Sequence, residues 1–396
     1  MRFPLAHRLD EIEPFHVMEV IKRASDLEKA GRSVIHLSIG EPDFPTAQPV
    51  LDAAATALQH GAMRYTHATG LPALRDAISS HYQRLFGLNV PAERIVITAG
   101  ASGALLLACA ALIGRDAEVL MPDPSYPCNR HFVVAFEGRA TMIPCSPVER
   151  FQLTAAMVRA HWSERTAGVL LASPSNPTGT SIPADELSAI ADVTRERGGF
   201  TLVDEIYQGL SYDAPPASAL ALGEDIIVIN SFSKYFNMTG WRLGWLVVPP
   251  AMLSAVEKLA QNMYICASSV AQQAALACFS PQATEIFEAR KEEFRRRRDY
   301  LVPALCQLGF GVPVLPDGAF YIYADCSRFT HDADAFAREL LEATGVVMVP
   351  GLDFGEHAAH RYLRVSYATS MENLAEAVER LGRYLAARAP LPRPAR

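Results

Sequence analysis

Most of the reactive chemistry in this sequence sits just behind short apolar runs. Lys234 lies in "SFSKYFNMTGWRLGW" (231–245), directly after the run "DIIVIN" (225–230). Asp204 closes "FTLVDE" (200–205), with Tyr207 shortly beyond it. Asn176 follows "GVLLAS" (168–173) in the turn "PSNPTG", and Tyr126 follows "AEVLMP" (117–122) in "DPSYP". Gly100-Ala101-Ser102-Gly103 follows "RIVIT" (94–98) and leads into a helix-like stretch. Lysine is normally a solvated surface residue. It becomes a nucleophile when burial or nearby cations lower its pKa. A glycine-rich turn at a helix N-terminus offers backbone N–H groups to an anion.

Each group has an ordinary explanation taken alone. "GASG" and "NPTG" are common turn chemistry, Asp204 could cap a helix, and Tyr126 could be loop packing. Their coincidence at the ends of several candidate strands points to one ligand, a planar heteroaromatic aldehyde bearing a phosphate. Lys234 would form a Schiff base with the aldehyde, and Asp204 would pair with the ring nitrogen. Tyr207 and Asn176 would hydrogen-bond the ring oxygen, and Tyr126 would stack on the ring. The N–H groups of Gly100 and Ala101, with Ser102, Ser231, Ser233 and Arg242, would hold the phosphate.

These groups need a scaffold that gathers strand ends. Between residues 94 and 249 seven apolar runs recur, those above together with "ATMIP" (140–144) and "LGWLVVP" (243–249). Several are followed by helical stretches, such as 104–113 and 184–197. Runs apolar throughout are buried on both faces, so the pattern predicts an α/β fold with a mostly parallel seven-stranded sheet flanked by helices. Ligands bind such sheets beyond the carboxyl ends of the strands. After residue 285 the rhythm becomes that of a smaller α+β unit. It has helices over 286–308, 333–344 and 371–387, and strands in "AFYIYAD" (319–325), "VVMVP" (346–350) and "RYLRVSYA" (361–368). The expected organisation is an N-terminal arm and part of the small domain (1–45), a large cofactor-binding domain (46–285) and a C-terminal small domain (286–396). The tail "APLPRPAR" (389–396) reads as disordered.

The bulk properties narrow the functional classes. With 396 residues, half of them apolar, the chain can bury a large core. Its formal charge of −7 argues against nucleic-acid or anionic-membrane partners. The basic run "RKEEFRRRRDY" (290–300) is interrupted by acids and reads as a solvated helix face. The seven cysteines are scattered without a C-x-x-C, which fits reduced thiols in a cytoplasmic protein. The uncharged stretch 95–114 is broken by "TAGASG", so it reads as strand, turn and helix rather than a membrane span. "HAAH" (357–360) has ligand-like spacing but no evident third ligand, so no metal is expected. Cys128 reads as an inert loop cysteine.

The quoted motifs, with "IGEPDF", "RYTHATGLPALR", "TAGASGALLL", "LVDEIYQGL", "GAFYIY" and "PGLDFG", resemble the fold-type-I, class I/II pyridoxal-phosphate aminotransferases over nearly the whole chain. The resemblance implies pyridoxal 5'-phosphate as cofactor and a homodimer with shared active sites. It implies that Tyr65 reaches the phosphate of the neighbouring subunit. It also implies that Arg364 binds the substrate α-carboxylate with help from Gly40 and Asn176. The expected reaction moves an amino group from an L-amino acid to a 2-oxo acid by a ping-pong route, with Lys234 as the base. A β-lyase or a cyclopropane-forming synthase shares the scaffold. So do a carbon–carbon-bond-forming acyl transferase and a non-catalytic, ligand-sensing module. In some acid-specific relatives a partner-subunit arginine reads the distal carboxylate. The corresponding stretch here, "AQNMYICASS" (260–269), has no arginine or lysine. Neutral donors (alanine, branched-chain or aromatic amino acids) are therefore favoured over aspartate.

Overall fold

The computed structural model describes residues 3–14, 17–61, 63–214 and 217–387; the tail 389–396 lies outside them. A two-residue strand, β1 (Ile35–His36), follows the first long helix, Val17–Lys29. The seven apolar runs then become β2 (Ile95–Thr98), β3 (Glu118–Asp123), β4 (Arg139–Pro144), β5 (Thr166–Ala172), β6 (Phe200–Asp204), β7 (Ile227–Ser231) and β8 (Gly244–Val247). They form one seven-stranded sheet in the order β2-β8-β7-β6-β5-β3-β4. Only β8 runs antiparallel to its neighbours. β2, β3, β7 and β8 are buried along their whole length and β5 and β6 are buried after their first residues, whereas β4, at one edge, is partly exposed. That contrast is why the runs read as uniformly apolar: helices cover both faces of a parallel sheet.

The C-terminal part forms β9 (Tyr321–Asp325), β10 (Val346–Val347), β11 (Val349–Pro350) and β12 (Tyr362–Ser366). β11, β12 and β9 make a small antiparallel sheet. β10 pairs in parallel with β1, which ties the N-terminal segment to this part of the chain. A single core cluster runs from Ile97, Val228 and Trp245 to Phe294, Tyr321 and Leu363. The two parts therefore share buried apolar surface, and that surface fixes their relative position.

Two helices start earlier than their periodicity suggests. The long helix spans Pro281–Leu308, because Ser280 caps it by accepting the Ala283 N–H at 3.2 Å and Pro281 suits its first turn. The helix after β2 spans Gly100–Leu112, so "GASG" is its first turn rather than a loop before it. Together with β2 it accounts for the uncharged stretch 95–114. Among the described residues no helix is long and apolar enough to cross a membrane.

The segment after β1 is fastened at two places. The Ser366 N–H donates to the Leu37 carbonyl at 2.7 Å. Farther along, Arg297 of the long helix pairs with Asp43 at 2.7 Å, and Arg290 donates to the Pro45 carbonyl at 2.7 Å. Both guanidinium groups also lie over the Phe44 ring, at 5.0 and 5.3 Å. Gly40 lies between these fastenings, so its position is set from both sides.

Candidate active site

The carboxyl ends of β3, β5, β6 and β7 and the helix after β2 meet at one cavity of about 210 Å³. Ala101, Ser102, Tyr126, Asn176, Asp204, Tyr207, Ser233, Lys234 and Arg242 line it. Gly40, from the segment after β1, and Arg364, from β12, close it on the other side. The structure thus brings together eleven of the fourteen residues singled out in the sequence.

Lys234 follows β7 and points its amine into the cavity. Nζ donates to the Gly40 carbonyl at 2.5 Å and lies 5.7 Å from the centre of the Tyr207 ring. Desolvation lowers its pKa to about 8; Glu41 and Asp204 pull it up, and Arg364 and Arg242 push it down. Asp204 ends β6 and is buried. Its carboxylate accepts the Ile206 N–H at 3.1 Å. Burial raises its pKa to about 6, against the pull of that N–H and of Lys234. A buried amine and a buried acid thus face one cavity.

Arg364 alternates with Leu363 and Val365, which are fully buried on the opposite face of β12. Its guanidinium donates to Asn176 Oδ1 at 3.0 Å and to the Ser38 carbonyl at 2.6 Å. The group is sandwiched near the rings of Tyr321 (4.6 Å) and Phe354 (4.9 Å). Among the described residues its buried Nε has no hydrogen-bond partner. A buried donor without a partner is costly unless a ligand takes it, and a carboxylate is the acceptor that suits a guanidinium edge.

At the other end of the cavity, Gly100 opens the helix with φ +70°. A Cβ at this position would lie 2.7 Å from Arg242 Nη2, so only glycine lets that guanidinium rest over the helix N-terminus. Gly244 of β8 allows the matching close approach, since its Cβ would lie 2.9 Å from the Ala101 nitrogen. Ser102 and Arg242 are exposed on this rim. Among the described residues Arg242 makes a single hydrogen bond, to the Thr239 carbonyl at 3.0 Å. Two N–H groups, hydroxyls and a guanidinium around one helix start form an anion cradle.

Three of the fourteen residues do not line the cavity. Gly100 is buried in the first turn of the helix, next to Ala101 and against Arg242. Ser231 is buried one layer back: its hydroxyl accepts the Ser233 N–H at 3.0 Å and lies 3.0 Å from Ser233 Oγ and 3.2 Å from the Leu243 carbonyl. Tyr65 is 79% exposed, away from the chain's own cavity. No expectation named Leu105, Ala172, Ile206, Thr239 or Tyr321, which also line the cavity; of these Tyr321 comes from the C-terminal part of the chain. It was visible only inside the motif "GAFYIY", and its hydroxyl lies 2.9 Å from that of Tyr207. Cys128 is partly buried, and desolvation raises its pKa, the reverse of what a reactive thiol needs.

Known proteins resemble this chain in sequence and in fold. The family model "Aminotransferase class I and II" matches residues 32–381. A valine–pyruvate aminotransferase of Mycobacterium tuberculosis is 40% identical over 94% of this chain and 97% of its own length. An aspartate aminotransferase of Geobacillus stearothermophilus is 34% identical over 97% of this chain and 100% of its own. The crystal structure of an aminotransferase from Mycobacterium tuberculosis superposes with a TM-score of 0.94 at 39% identity, covering 98% of this chain and 100% of that one. With the whole fold and the family model in agreement, the chain belongs to the class I and II aminotransferases, enzymes that depend on pyridoxal 5'-phosphate.

Proposed function

We propose that the protein transfers the amino group of a neutral L-amino acid to a 2-oxo acid by a ping-pong route at the cavity around Lys234. The observation that carries this reading is the pairing of a desolvated amine at Lys234 with an unpartnered Arg364 Nε in one cavity. The residues present suit the cofactor. The Gly100–Arg242 cradle suits its phosphate, the buried Asp204 its ring nitrogen, and the amine of Lys234 its aldehyde.

When bound, pyridoxal phosphate supplies a ring that takes up the electron pair released at the substrate's Cα. The chain's own groups do the rest. Ala101, Ser102, Ser233 and Arg242 hold the phosphate, and Ser231 braces Ser233 from behind. Asp204 would keep the ring nitrogen protonated, Tyr207 and Asn176 would hydrogen-bond the ring oxygen, and Tyr126 would pack on the ring face. Arg364 grips the α-carboxylate, aided by Gly40 and Asn176, and so turns the Cα–H bond towards Lys234. Lys234, whose neutral amine is favoured by desolvation, would remove the Cα proton as a general base.

Two further parts belong to the proposal. The enzyme acts as a homodimer in which Tyr65 of each chain reaches the other chain's phosphate; its 79% exposure on this chain supports that role. Residues 46–285 act as the cofactor-holding body, while 1–45 and 286–396 bring Gly40 and Arg364 to it; the β1–β10 pairing supports that division. Seven unpaired cysteines support a reducing compartment, the cytoplasm. The valine–pyruvate relative supports neutral donors. The test is a single-donor incubation of the holoenzyme without oxo acid. One equivalent of 2-oxo acid per site, stalling until an oxo acid is added, is the expected result. Sustained release of ammonia and pyruvate would refute it.

A further inference from the structure

We propose that the donor's side chain lies in a second, apolar cavity opening off the first, and that Met18 and Ile21 make this cavity selective for aliphatic over acidic side chains. The inference rests on the transamination reading. The second cavity measures about 230 Å³ and shares Gly40, Tyr126 and Arg364 with the first. A substrate anchored by its carboxylate at Arg364 can therefore reach from one into the other. Apart from those shared residues, its walls are chiefly Met18, Ile21, Val349 and Phe354.

The helix Val17–Lys29 explains why two of these residues are informative. Its core stripe is Val20, Ala24 and Leu27, spaced for one helix face and packed against Leu341 and Val347. Met18 and Ile21 fall off that stripe and remain 57% and 36% exposed. Polar residues occupy most of the helix away from the core: Glu19, Lys22, Arg23, Ser25, Asp26 and Glu28. Folding gains little from an apolar pair there, but an apolar ligand would. The helix also carries the ion pairs Arg23–Glu342 at 2.5 Å and Arg338–Glu19 at 3.9 Å. Those exposed pairs add little; the packing of Val20, Ala24 and Leu27 on Leu341 and Val347 is what seats the helix beside the cavity.

Charge points the same way. Among the described residues that line this cavity the only cation is Arg364, which the α-carboxylate would occupy, and Asp353 adds an acid. The distal carboxylate of aspartate would be desolvated there without a counter-charge, which is costly. An aliphatic side chain would instead bury apolar area against Met18, Ile21, Val349 and Phe354.

The experiment measures kcat/KM of the holoenzyme for L-leucine, L-norvaline, L-alanine and L-aspartate with one fixed acceptor. Leucine and norvaline should exceed aspartate by about tenfold or more. The double variant Met18→Ala/Ile21→Ala should lower the leucine-to-alanine ratio by about tenfold. Ile21→Arg should raise the aspartate-to-leucine ratio, a gain that misfolding cannot mimic. Unchanged ratios in both variants, or a wild-type enzyme that prefers aspartate, would overturn the inference. If no donor yields a 2-oxo acid, the transamination reading itself fails and the inference with it. If alanine is converted while selectivity stays fixed, only the inference fails.

Discussion

Asp204 ends a buried strand with one N–H donor, from Ile206, and a lysine as its only compensation. Its pKa is raised in the fold, from 3.8 to about 6. A raised carboxyl contributes stability only while protonated, and that contribution is lost as pH rises through about 6. Above that pH the ionised group costs the apoprotein about 3 kcal/mol. Asp204→Asn should therefore raise the melting temperature of the apoprotein at pH 8, with the gap closing below about pH 4. The same variant should weaken cofactor binding. Calorimetry across pH checks this, and parallel pH profiles for variant and wild type would count against it. Lys234 has the opposite sign. Its pKa falls from 10.5 to about 8, so between those values the unfolded chain binds the extra proton and stability rises with pH. The neutral amine is also the nucleophile. Covalent capture of pyridoxal phosphate by the apoprotein, followed by absorbance, should quicken through about pH 8 and then level. Lys234→Ala should show no capture and lose about a thousandfold or more in turnover.

The helix Gly100–Leu112 is nearly all apolar, and its buried face packs against the sheet with Val96, Ile229 and Leu246. Its sequence therefore looked like core, and its first turn looked like a separate loop. Its chemistry lies in the orientation of that turn, which points unpaired N–H groups at the ends of the strands. Gly100→Ala would place a methyl 2.7 Å from Arg242 Nη2 at a φ of +70°. Displacement of the guanidinium should weaken pyridoxal-phosphate affinity about tenfold, since a hydrogen bond to a charged group contributes about 1.5–3 kcal/mol; the left-handed backbone strain, about 1–2 kcal/mol, falls on stability instead. Equilibrium titration of the apoprotein with cofactor measures it; affinity within twofold of wild type would show that the cradle tolerates a Cβ.

Taken whole, the molecule presents an anion cradle that is open on one side. Ser102 and Arg242 are exposed on its rim, and Tyr65 is 79% exposed on the chain's own surface. A second copy supplying Tyr65 would complete the site. Refolding a mixture of Lys234→Ala and Tyr65→Ala chains should therefore restore activity at limiting cofactor, because one site in each mixed dimer keeps both groups. Random pairing sets the recovery at about a quarter of wild type. Activity equal to the mean of the two parent proteins would show that the sites are not shared.

The sequence by itself determined the seven strands, because residues buried on both faces of a sheet must be apolar whatever surrounds them. It also determined which polar groups close those strands, and so Lys234, Asp204, Asn176 and Tyr126 were legible together, through their coincidence at strand ends, though not one by one. Tertiary structure decided what periodicity does not encode. It set Ser231 behind Ser233, since a hydroxyl's partner depends on which backbone lies across from it, here that of Leu243. It brought Tyr321 to Tyr207 and Arg364 to Asn176 across long spans of chain. It also turned Met18 and Ile21 towards the second cavity. Such contacts are set by how separate elements pack, and no local spacing in the chain carries that information.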